Sequence, residues 1–267
     1  MDFQKFLAIY VNTNTAPGAV AYDEAFLLND LLEGLVRSDE QAFANNIGLQ
    51  VLFAMCCAMK RADLLPALFA SVLRDQDVPT SETATLDLFY RTRETINIIW
   101  PFVGVPQIIP AALGLAGYLQ SRNVSLKTNR RRPDVNADDV ALGKVTRVDI
   151  YKASANSEVF SMLDTYHGDL AYALNAVGFG YNMGRASKLG VPLPDAELVL
   201  TSALIALNAT RQAGSHVKAC IGFGYSESSL RAVVDMADKL AQWLGLKMNP
   251  MDIGELACQA RSNLSTA

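Results

Sequence analysis

An all-α fold is the class this sequence predicts, and three observations carry it. Leu and Phe recur at three-and-four spacing in residues 23–36, DEAFLLNDLLEGLV, which is the pattern of an amphipathic helix. No stretch sustains period-two alternation between turn signals, although residues 144–151 could form a short strand. The third observation is an internal echo: a shift of 149 residues lays VLFAMCCAMKRADLLPA, ending at Ala67, over LTSALIALNATRQAGSH, ending at His216. A Ser-Glu helix start follows each copy, at Ser81-Glu82 and Ser226-Glu227. Two helical repeats are therefore expected, residues 1–120 and 141–267, joined by a linker at 121–140.

Along the chain, residues 47–73 are rich in Leu, Ala, Met, Phe and Cys, with Lys60, Arg61 and Asp63 marking a helix junction. Val78-Pro79-Thr80-Ser81-Glu82 supplies a hydroxyl N-cap and an acid for the first turn of the next helix. That helix should run over 83–99 and stop at Pro101, with another start at Val105-Pro106. Residues 95–121 carry no charge and are long enough to span a bilayer. Pro101, Pro106 and Pro110 would break a spanning helix, so two buried helices meeting at a Gly-Pro corner are expected, and no membrane segment.

The polar stretch 121–140 reads as the linker, and its short basic run Arg130-Arg131-Arg132 as solvated. Residues 159–188 read as helix with an exposed break at Tyr166-His167-Gly168. Gly178, Gly180 and Gly184 lack the preceding strand of a phosphate loop, so close helix packing is their expected use. Pro192 and Pro194 introduce the next helix, and Tyr225-Ser226-Glu227 opens one that reaches about residue 244.

The bulk numbers exclude several classes. A composition 51% hydrophobic and 19% charged argues for a substantial core and against disorder. A net charge of −4 and a pI near 5.2 give no electrostatic case for nucleic acid or an anionic membrane. The apolar patch near the N-terminus is too short for a secretory signal. Cys56, Cys57, Cys220 and Cys258 show no C-x-x-C spacing, so a cytoplasmic protein with reduced thiols is expected.

Chemistry concentrates in residues 194–229. Glu197 opens an Ala- and Leu-rich helix, and nineteen positions later comes His216, one of two histidines in the chain. Gln212, His216 and Cys220 stand at steps of four, which a continuous helix places in one row. A histidine's ordinary pKa near 6.5 suits it to proton transfer. Gln212 could donate to a carbonyl oxygen, and Lys218 or Arg211 could pair with a substrate carboxylate. His167 reads as an exposed turn residue that shares no ligand spacing with His216, so no metal site is expected. Each has a plainer alternative: a hydrogen-bonded histidine at a helix junction, an acid serving the helix dipole, a small buried cysteine.

The order Glu197, an Ala/Leu helix, His216, Gly222 to Gly224 and then Tyr225-Ser226-Glu227 resembles the carboxymuconolactone decarboxylase and alkyl hydroperoxidase D superfamily. Phe102-Val103-Gly104-Val105-Pro106 is similar to the Tyr-x-Gly-x-Pro segment of its members. The resemblance covers most of 47–119 and 170–245. It implies an all-α, homo-oligomeric protein of two fused repeats, with the functional glutamate and histidine falling on Glu197 and His216. The chemistry of the side chains leaves Gln212, Cys220, Lys218 and Arg211 as the residues expected to bind substrate.

The family's redox cysteine pair falls on Ala209 and Gln212, so thiol-based peroxide reduction is not expected. In the first repeat the glutamate and histidine positions are Gly48 and Ala67, a copy emptied of chemistry. The expectation is a cofactor-independent lyase or isomerase of decarboxylase type, acting on a small organic metabolite by His-mediated proton transfer. The alternatives are a binding or assembly protein that has lost catalysis, or a thiol redox protein using Cys220 or Cys56-Cys57. His216→Ala is expected to remove turnover with little loss of folding.

Overall fold

Two helices form the centre because their sequences are apolar on nearly every side, with only a few buried polar residues such as Gln50 and Glu197. Every residue of α3 (Ile47–Ala58) is buried, as are residues 196–206 of α10 (Leu193–Ala206). A helix that is apolar all round belongs inside. The two pack against each other, and residues from both predicted repeats join one hydrophobic cluster reaching from Leu27 to Ile253. The computed structural model describes residues 2–74, 81–126, 128, 130, 132–155 and 157–266, and among these no strand occurs. No helix among them is long and apolar enough to cross a membrane.

Around that pair, α5 (Glu82–Val103) rests on both central helices, while α6 (Val105–Ser121) packs on α5 and on α4 (Leu65–Arg74). The short α1 (Phe3–Tyr10) lies on α6. In the second half, α11 (Thr210–Gly222) packs on α10, and α13 (Ile253–Thr266) covers α11. Helix α12 (Glu227–Trp243) bridges α10 and α2 (Glu33–Ser38), the latter continuing a π-helical segment, Ala25–Leu32. The predicted caps are made: Ser81 and Ser226 side chains accept from the backbone N–H of Ala84 and Ser229. Val78, Pro79 and Thr80 lie outside the described residues.

The 149-residue offset can be laid over the helical elements. It carries Ala25–Leu32 onto 174–181, inside a second π-helical segment, Leu174–Gly184. It also carries Ile47 into α10, Leu65 into α11, Glu82 into α12 and Val105 into α13.

Three expectations are corrected. Pro101 does not stop α5, which continues to Val103. The chain turns instead at Gly104, whose φ of +97° suits a residue without Cβ. The stretch 144–151 is not a strand but the end of α7 (Ala137–Tyr151). That helix starts inside the predicted linker, because Asn136 and Asp139 form a reciprocal capping box. Arg132 is not solvated: only 8% exposed, it donates to the carbonyls of Tyr181 and Asn182. Its guanidinium lies 2.6 Å from Glu94, itself 1% exposed and without a hydrogen bond, so the contact balances charge rather than satisfying the carboxylate.

The closest helix crossing sets up the site. Helix α7 lies across Leu174–Gly184, which continues from α9 (Gly168–Ala173), itself preceded by α8 (Ser157–Tyr166) and the exposed break at His167. A Cβ on Gly180 would stand 1.9 Å from the Asp139 carbonyl oxygen, and one on Gly143 1.8 Å from that of Asn175. Gly180 thus serves close packing as its sequence predicts. An ion pair between the buried Asp139 and Arg185 pins the same crossing.

Candidate functional site

The crossing delivers the end of α7 to the middle of α11. His216 Nδ1 lies 2.5 Å from Glu197 Oε1, and His216 Nε2 lies 2.9 Å from the Tyr151 hydroxyl. A carboxylate only accepts, so Nδ1 carries the proton and Tyr151 donates to Nε2, a tautomer assigned from these partners. Glu197 is 0% exposed and His216 2%. The result is a buried line of three titratable groups, Glu197–His216–Tyr151, drawn from three helices.

Burial pushes the Glu197 carboxyl above its ordinary pKa, and His216 opposes that rise without cancelling it. The Glu197 Oε2 atom is buried with no hydrogen-bond partner. Burial likewise raises the Tyr151 hydroxyl, with the Glu197 charge adding to the effect and Arg147 opposing it. Tyrosinate is therefore costly at this position unless a proton moves in the same step.

Tyr151 is also where the line meets open space. It lines a cavity of about 240 Å³ together with Phe102, Phe160, Phe179, Leu163 and Leu174, and with Arg211, Gln212 and Ser215 along one side. Phe102 comes from the first half, its ring centroid 6.4 Å from that of His216. Glu197 and His216 are brought together as the sequence predicts, and Gln212 and Arg211 reach the cavity.

Cys220 and Lys218 do not line it. The row of Gln212, His216 and Cys220 exists, but it runs from the cavity inward, leaving Cys220 fully buried against Thr201 Oγ1 at 3.2 Å. Lys218 Nζ instead donates to the Ser154 carbonyl at 3.5 Å. Substrate contact by these two is corrected accordingly. Tyr151 is not among the sequence candidates because it lies 65 residues from His216 in a segment whose sequence allows a short strand; only the Asn136–Asp139 cap announces the helix that carries it.

A separate cavity lies in the first half. Its volume is about 370 Å³, and it is bordered by Val11, Ala62 and Asp63, which the 149-residue offset matches to Phe160, Arg211 and Gln212. Gly48 and Ala67 stand where Glu197 and His216 would be. Among the described residues, no group of three or more His, Cys, Asp or Glu side chains could hold a metal ion.

Thiol chemistry finds little support in these surroundings. Cys56, Cys57 and Cys220 are fully buried, and burial raises all three, Cys56 to about 12. Only Cys258 is exposed. A thiol reagent at pH 8 is expected to label one cysteine in the native protein and four after unfolding. A second fast-labelling native thiol would restore the redox reading. Comparison with protein-family models finds no matching family, and comparison with curated proteins finds no matching relative.

Proposed function

We propose that this chain is a cofactor-independent lyase or isomerase, decarboxylase-like, that moves a proton at carbon on a small organic metabolite. The observation that supports the reading most is the hydrogen-bonded line Glu197–His216–Tyr151 ending at a cavity wall. In the forward step the Tyr151 oxygen takes a proton from a substrate carbon while its own proton passes to His216 Nε2. The electron pair of the broken C–H bond stays on the substrate as an enolate. The imidazolium then stands against the Glu197 carboxylate, which offsets its charge in a low-dielectric setting. Returning the proton to another carbon completes an isomerisation; delivering it to a carbanion left by loss of CO2 completes a decarboxylation. Gln212 and Arg211 line the cavity; in this reading Gln212 donates to an enolate oxygen and Arg211 attracts an anion.

The same reading takes the two halves as fused repeats of the alkyl hydroperoxidase D-like type. The first is emptied at Gly48 and Ala67, and the whole is a cytoplasmic homo-oligomer. The test is solvent-deuterium exchange at carbon, followed by NMR across a panel of small carboxylic and keto acids. At least one ligand should exchange faster with the wild-type protein than in buffer, and the gain should vanish with Tyr151→Phe. Ligands that bind with no gain in exchange would leave a binding protein.

A further inference from the structure

The cavity under Tyr151 has a neighbour. A second one, of about 500 Å³, shares Tyr151 and Phe160 with the first and carries more charged residues on its border, Arg147, Lys152 and Asp164. The two differ in chemistry as two ends of one molecule would. The inner cavity presents aromatic rings and Leu side chains; the outer presents two cations against one carboxylate, a net single positive charge. Arg147 stands four residues before Tyr151 on α7, so both project from one face. Its guanidinium carbon lies 4.4 Å from the centroid of the Phe160 ring, the wall between the cavities. No acidic side chain is in ion-pair contact with Arg147 or Lys152 among the described residues.

We infer that the substrate is an organic monoanion with a ring-sized apolar body, its body in the inner cavity and its carboxylate in the outer one, held by Arg147 and Lys152. The inference rests on the reading of Tyr151 as the group that touches the reacting carbon. A volume of about 240 Å³ lies below the usual range of drug-sized sites and suits a single ring with a short chain. The carboxylate then extends past Tyr151, the residue that lines both cavities, which brings the carbons between ring and carboxylate to that side chain. Those carbons carry the hydrogens that a carboxyl or keto group acidifies. Arg147 is thus assigned a substrate-binding role that no motif in its neighbourhood announces.

Calorimetric titration of the full chain with three probes tests this: 3-phenylpropionate, its neutral analogue 3-phenylpropan-1-ol, and glutarate, which has charge but no ring. The wild-type protein should bind 3-phenylpropionate at least ten-fold more tightly than either of the others. Arg147→Gln should cut affinity for the carboxylate about ten-fold and leave the alcohol within two-fold. Loss of the Phe160 contact would weaken both probes alike, so the difference between them isolates charge. Equal losses for both probes, or glutarate binding as tightly as the ring acid, overturn the inference. Charge-dependent binding with no deuterium exchange on any ligand supports this inference and overturns only the catalytic reading. Exchange without charge dependence does the reverse.

Discussion

Phenylalanine in place of Tyr151 is expected to slow proton exchange on a turned-over ligand by about 10²- to 10⁴-fold and to cost only about 1–3 kcal/mol of stability. The rate loss follows because Tyr151 is the member of the line that borders the cavity. The stability cost is the partner that His216 Nε2 loses. His216→Ala makes a poorer test than the sequence suggests. It would strand the fully buried Glu197, one of whose oxygens already lacks a partner, and removing one member of such a pair costs about 3–5 kcal/mol. Lost activity in that variant could then be lost folding.

Glu197→Gln supplies the complementary measurement. Because burial raises the folded-state pKa of Glu197 above its ordinary 4.5, the folded protein holds this proton more tightly than the unfolded chain. Stability contributed at this residue is therefore highest below about pH 4.5 and falls as pH rises towards the folded value. Relative to the wild-type protein, Glu197→Gln should gain in urea midpoint across that rise. Unchanged exchange in Tyr151→Phe would remove Tyr151 from the chemistry whatever the other variants do.

The parts of this molecule legible in the sequence were those encoded locally. The largely apolar runs of α3 and α10, the Ser81 and Ser226 caps and the Gly104 corner each announce themselves within a few residues. Glu197 and His216 were legible as a pair because neighbouring helices in sequence, α10 and α11, bring them together. Tyr151 and Arg147 were not, since they enter from a helix far along the chain and earn their place through packing alone. Arg132 misled for a related reason. Three arginines in a polar stretch look solvated, and nothing local reveals that the carbonyls of Tyr181 and Asn182 and the charge of Glu94 await one of them.

Gly180→Ala is expected to be a severely damaging conservative change, lowering unfolding free energy by about 3 kcal/mol or more. The added Cβ would fall 1.9 Å from the Asp139 carbonyl oxygen and 2.9 Å from that of Asn175, and both are backbone atoms that cannot rotate away. Gly143→Ala should behave alike, its Cβ meeting the Asn175 oxygen at 1.8 Å. Relief requires α7 to move off Leu174–Gly184, and α7 carries Tyr151. A variant that still folds should therefore lose proton exchange together with the Tyr151–His216 hydrogen bond, although neither glycine borders the cavity. Gly168→Ala is the control: its Cβ meets nothing within 4 Å and its φ is not positive, so urea unfolding should shift by no more than about 1 kcal/mol and in the stabilising direction. Both substitutions remove the same backbone freedom from the unfolded chain, so the difference between them measures the crossing itself. Equal midpoints for Gly180→Ala and the wild-type protein would mean that the helices do not approach this closely, and the placement of Tyr151 against His216 would fall with them.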